Sequence, residues 1–194
     1  MVRNDIARAY SVLEKTFSAN GKLLIAGNGG SSADAEHITG ELMKGFVKKR
    51  EIPPAFKSRL YEIDPDMASY LGNTIQQGLP AIALHTHTAL LTASVNDMGG
   101  DIVYAQQVYG YGCSGDAFLG ISTSGNAKNI IYAMITAKAK NMKTIALSGA
   151  SGGAMKNYAD VSINVPETET YKIQELHLPI YHALCLMIEE HFFP

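Results

Sequence analysis

Cysteine is scarce: Cys113 and Cys185 are the only two in 194 residues. They lie far apart at no metal or redox spacing, so they read as buried or idle thiols. Long apolar runs are absent as well, and a membrane-spanning helix needs about 18 such residues together. Met1 is followed by charged and polar residues rather than by the apolar stretch of a signal peptide. Charge of one sign is missing too. The net charge is −2 with Lys and Arg scattered, which removes the electrostatic ground for a nucleic-acid or membrane partner. What remains is globular, with 46% apolar and 18% charged residues. One domain over 1–194 and a cytoplasmic enzyme or binding protein are the expectations.

Strands and helices alternate along the chain. Ile6, Tyr10, Leu13 and Phe17 share one face of an opening helix, which Asn20-Gly21 ends. The run LLIAG at 23–27 suits a strand buried on both faces. A helix is predicted over 32–47. Residues 51–79 read as an irregular surface or interface excursion, because Pro53-Pro54, Asp64-Pro65, Gly72 and Gly78 interrupt the pattern and leave only 66–76 for a short helix. Further strands are predicted at 80–84, 116–122, 144–148 and 161–165. Helices are expected at 89–95, 102–112 and 127–140, with a long closing helix over 169–193 in which Pro179 makes a kink or frees a carbonyl. This alternation predicts an α/β fold with a parallel sheet covered on both faces.

In such a sheet, ligands sit outside the carboxyl ends of the strands. Two small-polar loops occupy such ends: GNGGSS at 27–32 and STSGN at 122–126. Each alone suits a tight turn. Together they can wrap a phosphate with N–H and O–H donors and no lysine. Neither is a Walker A loop, and Ser32 stands where a dinucleotide fingerprint needs its third glycine. After the first loop, His37 and Glu41 share one helix face. They suit a surface hydrogen bond, half of a metal site or an acid/base pair. The closing helix adds Gln174, Glu175, His177 and His182, while His85, His87 and His191 read as structural or solvated.

The segments GNGGSSADAEH, GISTSGN and IQELHLPIYH together resemble the sugar isomerase (SIS) domain, and within it the phosphoheptose isomerases. The likeness spans roughly 20–50 and 80–190. It implies a single SIS domain: a five-stranded parallel sheet in an αβα sandwich with added N- and C-terminal helices. It further implies a homotetramer with sites between subunits, and conversion of sedoheptulose 7-phosphate to D-glycero-D-manno-heptose 7-phosphate for heptose and surface-glycan biosynthesis. Carried over by motif, Ser122, Thr123, Ser124 and Asn126 hold the phosphate. Asn28, Gly29, Gly30, Ser31, Asp97 and Gln174 lie at the substrate. His37, Glu41, Gln174 and His182 bind one Zn2+ per subunit, and Glu41 and His182 form the catalytic pair.

The residue types suit that chemistry. Moving a carbonyl to the neighbouring carbon needs a base that removes and returns a proton through an enediolate, here Glu41, with a metal ion or other donors on the oxyanion and His182 shuttling protons at oxygen. Ala127 stands where many relatives have another serine, leaving its backbone N–H as the donor. Gln174 and His182 are eight residues apart, about 12 Å along a straight helix. One ion reaches both if the side chains converge, if the helix starts after Gln174, or if another subunit contributes. The same fold also serves non-catalytic phosphosugar sensors and a replication-initiator adaptor, but such modules have no use for His37, Glu41 and His182 together.

Overall fold

The computed structural model describes residues 2–194. Its strands are β1 (Leu23–Gly27), β2 (Ala81–Ala83), β3 (Ala117–Ser122), β4 (Lys143–Ser148) and β5 (Val161–Asn164). They form one sheet in the order β2-β1-β3-β4-β5 with every pairing parallel. The helices are α1 (Val2–Ser18), α2 (Gly30–Met43), α3 (Pro54–Ile63), α4 (Pro65–Thr74), α5 (Thr88–Met98), α6 (Val103–Tyr111), α7 (Lys128–Ala139) and α8 (Thr170–Phe192). None among the described residues is long and apolar enough to cross a membrane.

Side chains alternate across a strand, and the core divides accordingly. Leu23 and Ile25 of β1, Leu119 and Ile121 of β3, and Ile145 and Leu147 of β4 pack with Leu13 of α1, Ile38 and Leu42 of α2, and Leu184 and Ile188 of α8. On the other face, Leu24, Ala26, Phe118 and Ala146 meet Val108 of α6 and Ile130 and Met134 of α7. Because β1 has β2 on one side and β3 on the other, the chain changes winding direction between β1 and β3. Parallel sheets of this order open their binding crevice there. GNGGSS leaves β1 and STSGN leaves β3, so both small-polar loops fall at that crevice.

Two expectations need correction. Residues 51–79 are not irregular: they form the helical hairpin α3–α4. Pro54 and Pro65 each stand at a helix start, where the missing N–H costs nothing and the fixed φ favours entry. Asp64 joins the two. Its N–H donates to the Leu60 carbonyl, ending α3, and its side chain accepts from the N–H groups of Asp66 and Met67, capping α4. An antiparallel bridge between Glu51 and Gln76 closes the hairpin's neck. The second correction concerns α2, which spans Gly30–Met43 rather than 32–47. Lys44 is already extended, and the chain turns there to bring Arg50 inside. Through Pro179, α8 continues unbroken, so the effect of this proline is to leave the Glu175 carbonyl without its usual N–H donor.

Candidate active site

A cleft of about 360 Å³ opens at the crevice, lined by residues 28–31 after β1, residues 122–124 and Ala127 after β3, and Thr170 and Gln174 of α8. Gly29 turns the chain into α2 with φ of 55°, a left-handed conformation that glycine adopts without strain. At Gly30 a side chain would collide with the Gln174 amide. No side chain caps α2 at Gly29 or α7 at Ala127. At these two helix starts the N–H groups of Ser31, Ser32 and Ile130 already donate to the carbonyls of Asn28, Gly29 and Ala127, which leaves those of Gly30, Lys128 and Asn129 without an acceptor in the chain, an arrangement suited to an anion. No lysine or arginine lines it.

The two loops are clamped together. Asn28 and Asn129 pair their amides reciprocally, each N–H to O distance 2.9 Å. The Tyr104 hydroxyl donates to the Gly27 carbonyl at 2.8 Å. Asn126, though exposed, is tied to the chain around it, its Oδ1 accepting the Ala154 N–H at 2.9 Å and its Nδ2 donating to the Ser124 carbonyl at 3.0 Å. Asn126 therefore shapes the loop rather than lining the cleft.

Further along α2, where α8 crosses it, three titratable groups converge. Glu41 Oε1 lies 2.9 Å from His37 Nε2 and 3.7 Å from His182 Nε2. One ligand atom from each residue fits within 4.8 Å of the others, a spacing able to hold a metal ion. The second Glu41 oxygen and His182 Nε2 are shielded from solvent without a hydrogen-bond partner, as unspent ligand or acid/base atoms would be. His37 Nδ1 sits 3.0 Å from the Tyr181 hydroxyl. Burial, then the charges of Asp34 and Glu41, push Tyr181 far above an ordinary phenol, so that hydroxyl keeps its proton. Burial also raises Asp34 above its ordinary value, against the pull of Tyr181 and His37.

Comparison with known proteins settles the family. A SIS-domain profile matches residues 66–149. Phosphoheptose isomerase 2 of Campylobacter jejuni is 45% identical over 179 residues, covering 92% of this chain and 76% of that protein. The chain belongs to the phosphoheptose isomerase family. The family's enzyme from Sulfurimonas denitrificans is 40% identical over 190 residues, 98% of this chain and 84% of that protein. The solved structure of the family's Neisseria gonorrhoeae member superposes with a TM-score of 0.79 at 34% identity, covering 98% of this chain and 88% of that one.

Within this family frame the expected residues divide into four places, one of them the loop that Asn126 shapes. Asn28, Gly29, Gly30, Ser31, Ser122, Thr123, Ser124 and Gln174 line the cleft. His37, Glu41 and His182 form the second group. Gln174 lies against Gly30 on the cleft side, about two helical turns from His182 on one unbroken α8. Asp97 lies on exposed α5, where it accepts from Asn96 at 2.8 Å, and does not line the cleft. His85 pairs with Glu36 at 3.1 Å, and the His191 ring packs edge-on to Phe192. Tyr181, Tyr104 and Asn129 escaped the sequence reading. Tyr181 had a signal, since it follows Gln174 by seven residues and so shares its face of α8. For Asn129 and Tyr104 no local pattern exists.

His177 is a separate matter. It is 0% exposed, neither ring nitrogen has a partner, and burial pushes its pKa down to about 4 despite the nearby Ser148 backbone. The folded ring stays neutral where the unfolded ring, with a pKa near 6.5, takes a proton. Its contribution to stability is therefore full above about pH 6.5 and is lost as the pH falls toward 4. Urea unfolding at pH 7 and pH 4.5 should show wild type losing about 2 kcal/mol more than His177→Leu on acidification. Equal losses in the two proteins would contradict this account.

Proposed function

We propose that this chain isomerises sedoheptulose 7-phosphate to D-glycero-D-manno-heptose 7-phosphate through an enediolate. The observation that carries the reading is the convergence of His37, Glu41 and His182 along α2 from a cation-free anion cleft. From Ser31 to His37, α2 advances about 9 Å. A sugar with its phosphate at one end and its carbonyl near the other suits that separation, whereas a triose phosphate does not.

The cleft binds and orients. Ser122, Thr123 and Ser124, the N–H groups of Gly30, Lys128 and Asn129, and the Gln174 amide give hydrogen bonds to the phosphate and the adjoining sugar hydroxyls. At the other end Glu41 removes a proton from C1 of the ketose and returns one to C2. Its oxygen without a partner in the chain is the atom free to do so. His182 moves the accompanying proton between the C1 and C2 oxygens with the ring nitrogen that holds no ion. His37, Glu41 and His182 are the residues that would hold a divalent ion, for which two imidazoles and a carboxylate suit zinc. When bound, the ion supplies positive charge to the oxygens that bear the enediolate.

Glu41→Gln keeps the shape and removes the base. Turnover of sedoheptulose 7-phosphate should fall at least about 10³-fold, while binding of the sugar phosphate, followed by calorimetry, persists. Substantial residual turnover sinks the assignment.

The homotetramer with sites between subunits belongs to the same proposal. It is supported by α3, which buries no residue of its own, and by Phe56, Tyr61, Ile63, Met67 and Tyr70, which the hairpin leaves exposed. In this reading Asp97, exposed and away from its own chain's cleft, would face the cleft of another subunit. Replacing 53–75 by a short turn between Glu51 and Gln76 should lower the mass measured by light scattering below that of a tetramer. An unchanged tetramer would count against a role for the hairpin in assembly.

A further inference from the structure

Along their shared length α2 and α8 meet at three levels. At the first, Gln174 lies against Gly30. At the second, Tyr181 and His182 meet His37 and Glu41. At the third, Glu189 does not reach α2 directly: Arg50 stands between them. Positions 174, 181, 182 and 189 repeat at the spacing of one helix face, so one side of α8 carries all three contacts.

The third level is built from buried charge. Arg50 is 1% exposed, and so is Glu189. Arg50 Nε donates to Glu189 Oε1 at 2.8 Å, Nη1 to the Leu42 carbonyl at 2.6 Å and Nη2 to the Glu41 carbonyl at 2.8 Å. Glu189 also accepts the N–H groups of Phe46 at 2.8 Å and Val47 at 2.9 Å. The guanidinium carbon sits 4.6 Å from the Phe193 ring centre. The last carbonyls of a helix lack partners within the helix, and a cation at that end is favourable. Here one planar fork caps two of them and pairs with the neighbouring helix, which a lysine ammonium cannot do. Burying such a pair gains little net stability over apolar side chains of the same volume. The carbonyl of Glu41 itself is one of the groups held.

We infer that Arg50 and Glu189 are positioning residues for the isomerase site: their ion pair fixes the end of α2 against α8 and so sets where Glu41 and His37 stand relative to His182. The inference rests on the roles of Glu41 and His182 proposed above. It assigns no contact with substrate to either residue.

The test uses the full chain as Arg50→Met, as the double variant Arg50→Met/Glu189→Leu, and as Arg50→Lys. Each is assayed for melting temperature, zinc affinity by chelator competition, and kcat and KM for sedoheptulose 7-phosphate. Arg50→Met alone should unfold readily, because it strands the Glu189 charge. The double variant should recover a melting temperature near wild type, yet bind zinc about 10–100-fold more weakly, the range seen when the outer partners of a metal site are removed. Its kcat should fall by a similar factor, with KM nearly unchanged because the phosphate cleft is untouched. If the double variant does not fold, Arg50→Lys keeps the charge and loses the fork, and it should show the same two deficits. Wild-type zinc affinity and kcat in whichever of these two variants folds would reduce the pair to a stabilising contact and overturn the inference. An active Glu41→Gln enzyme would overturn the reading beneath it instead, so the two failures are distinguishable.

Discussion

Glu41 is held at both ends. Its backbone carbonyl accepts from Arg50 at 2.8 Å, and its carboxylate lies 2.9 Å from His37 Nε2 and 3.7 Å from His182 Nε2. The His182 contact exists only because α8 lies along α2, and that packing is apolar: Ile38 and Leu42 of α2 share one core with Leu184, Cys185 and Ile188 of α8. The sheet fixes α2 in turn, since β1 is buried along its whole length and delivers the chain to Gly29 and Gly30 at the crevice. Strand, turn, helix and partner helix thus place one carboxylate.

The anion cleft and the titratable group share these two helices and use different physics. The cleft works with hydroxyls, amides and helix N–H groups, and no lysine or arginine lines it. Such donors are directional and hold a phosphate by geometry more than by net charge. The second group is titratable, with Glu41 buried, His182 half-buried and His37 exposed, and it carries atoms without partners in the chain. In the proposed reaction, keeping the two apart along α2 would leave the phosphate end of a substrate fixed while the chemistry proceeds at the other.

Much of this was legible in the sequence for local reasons. A strand buried on both faces is an apolar run, so LLIAG marked β1 to the residue. Small polar residues after a strand marked both cleft loops, and spacing along a helix put His37 beside Glu41. The hairpin was misread because proline serves a helix start as readily as it breaks a helix interior, and Asp64 needed its dual role to be seen. Arg50 and Glu189 left no local trace: they meet across 139 residues of chain, and a lone charge in sequence normally indicates solvent. Asn129 was hidden for the same reason, its partner Asn28 lying 101 residues away.

The most direct test of the account is a zinc titration of metal-stripped protein, with sedoheptulose 7-phosphate turnover read at every point and fructose 6-phosphate and glucosamine 6-phosphate as controls. The account predicts that turnover of the heptulose phosphate alone rises in proportion to bound zinc and breaks at one ion per chain. Full turnover before any zinc is added, or zinc uptake that leaves turnover unchanged, would contradict it.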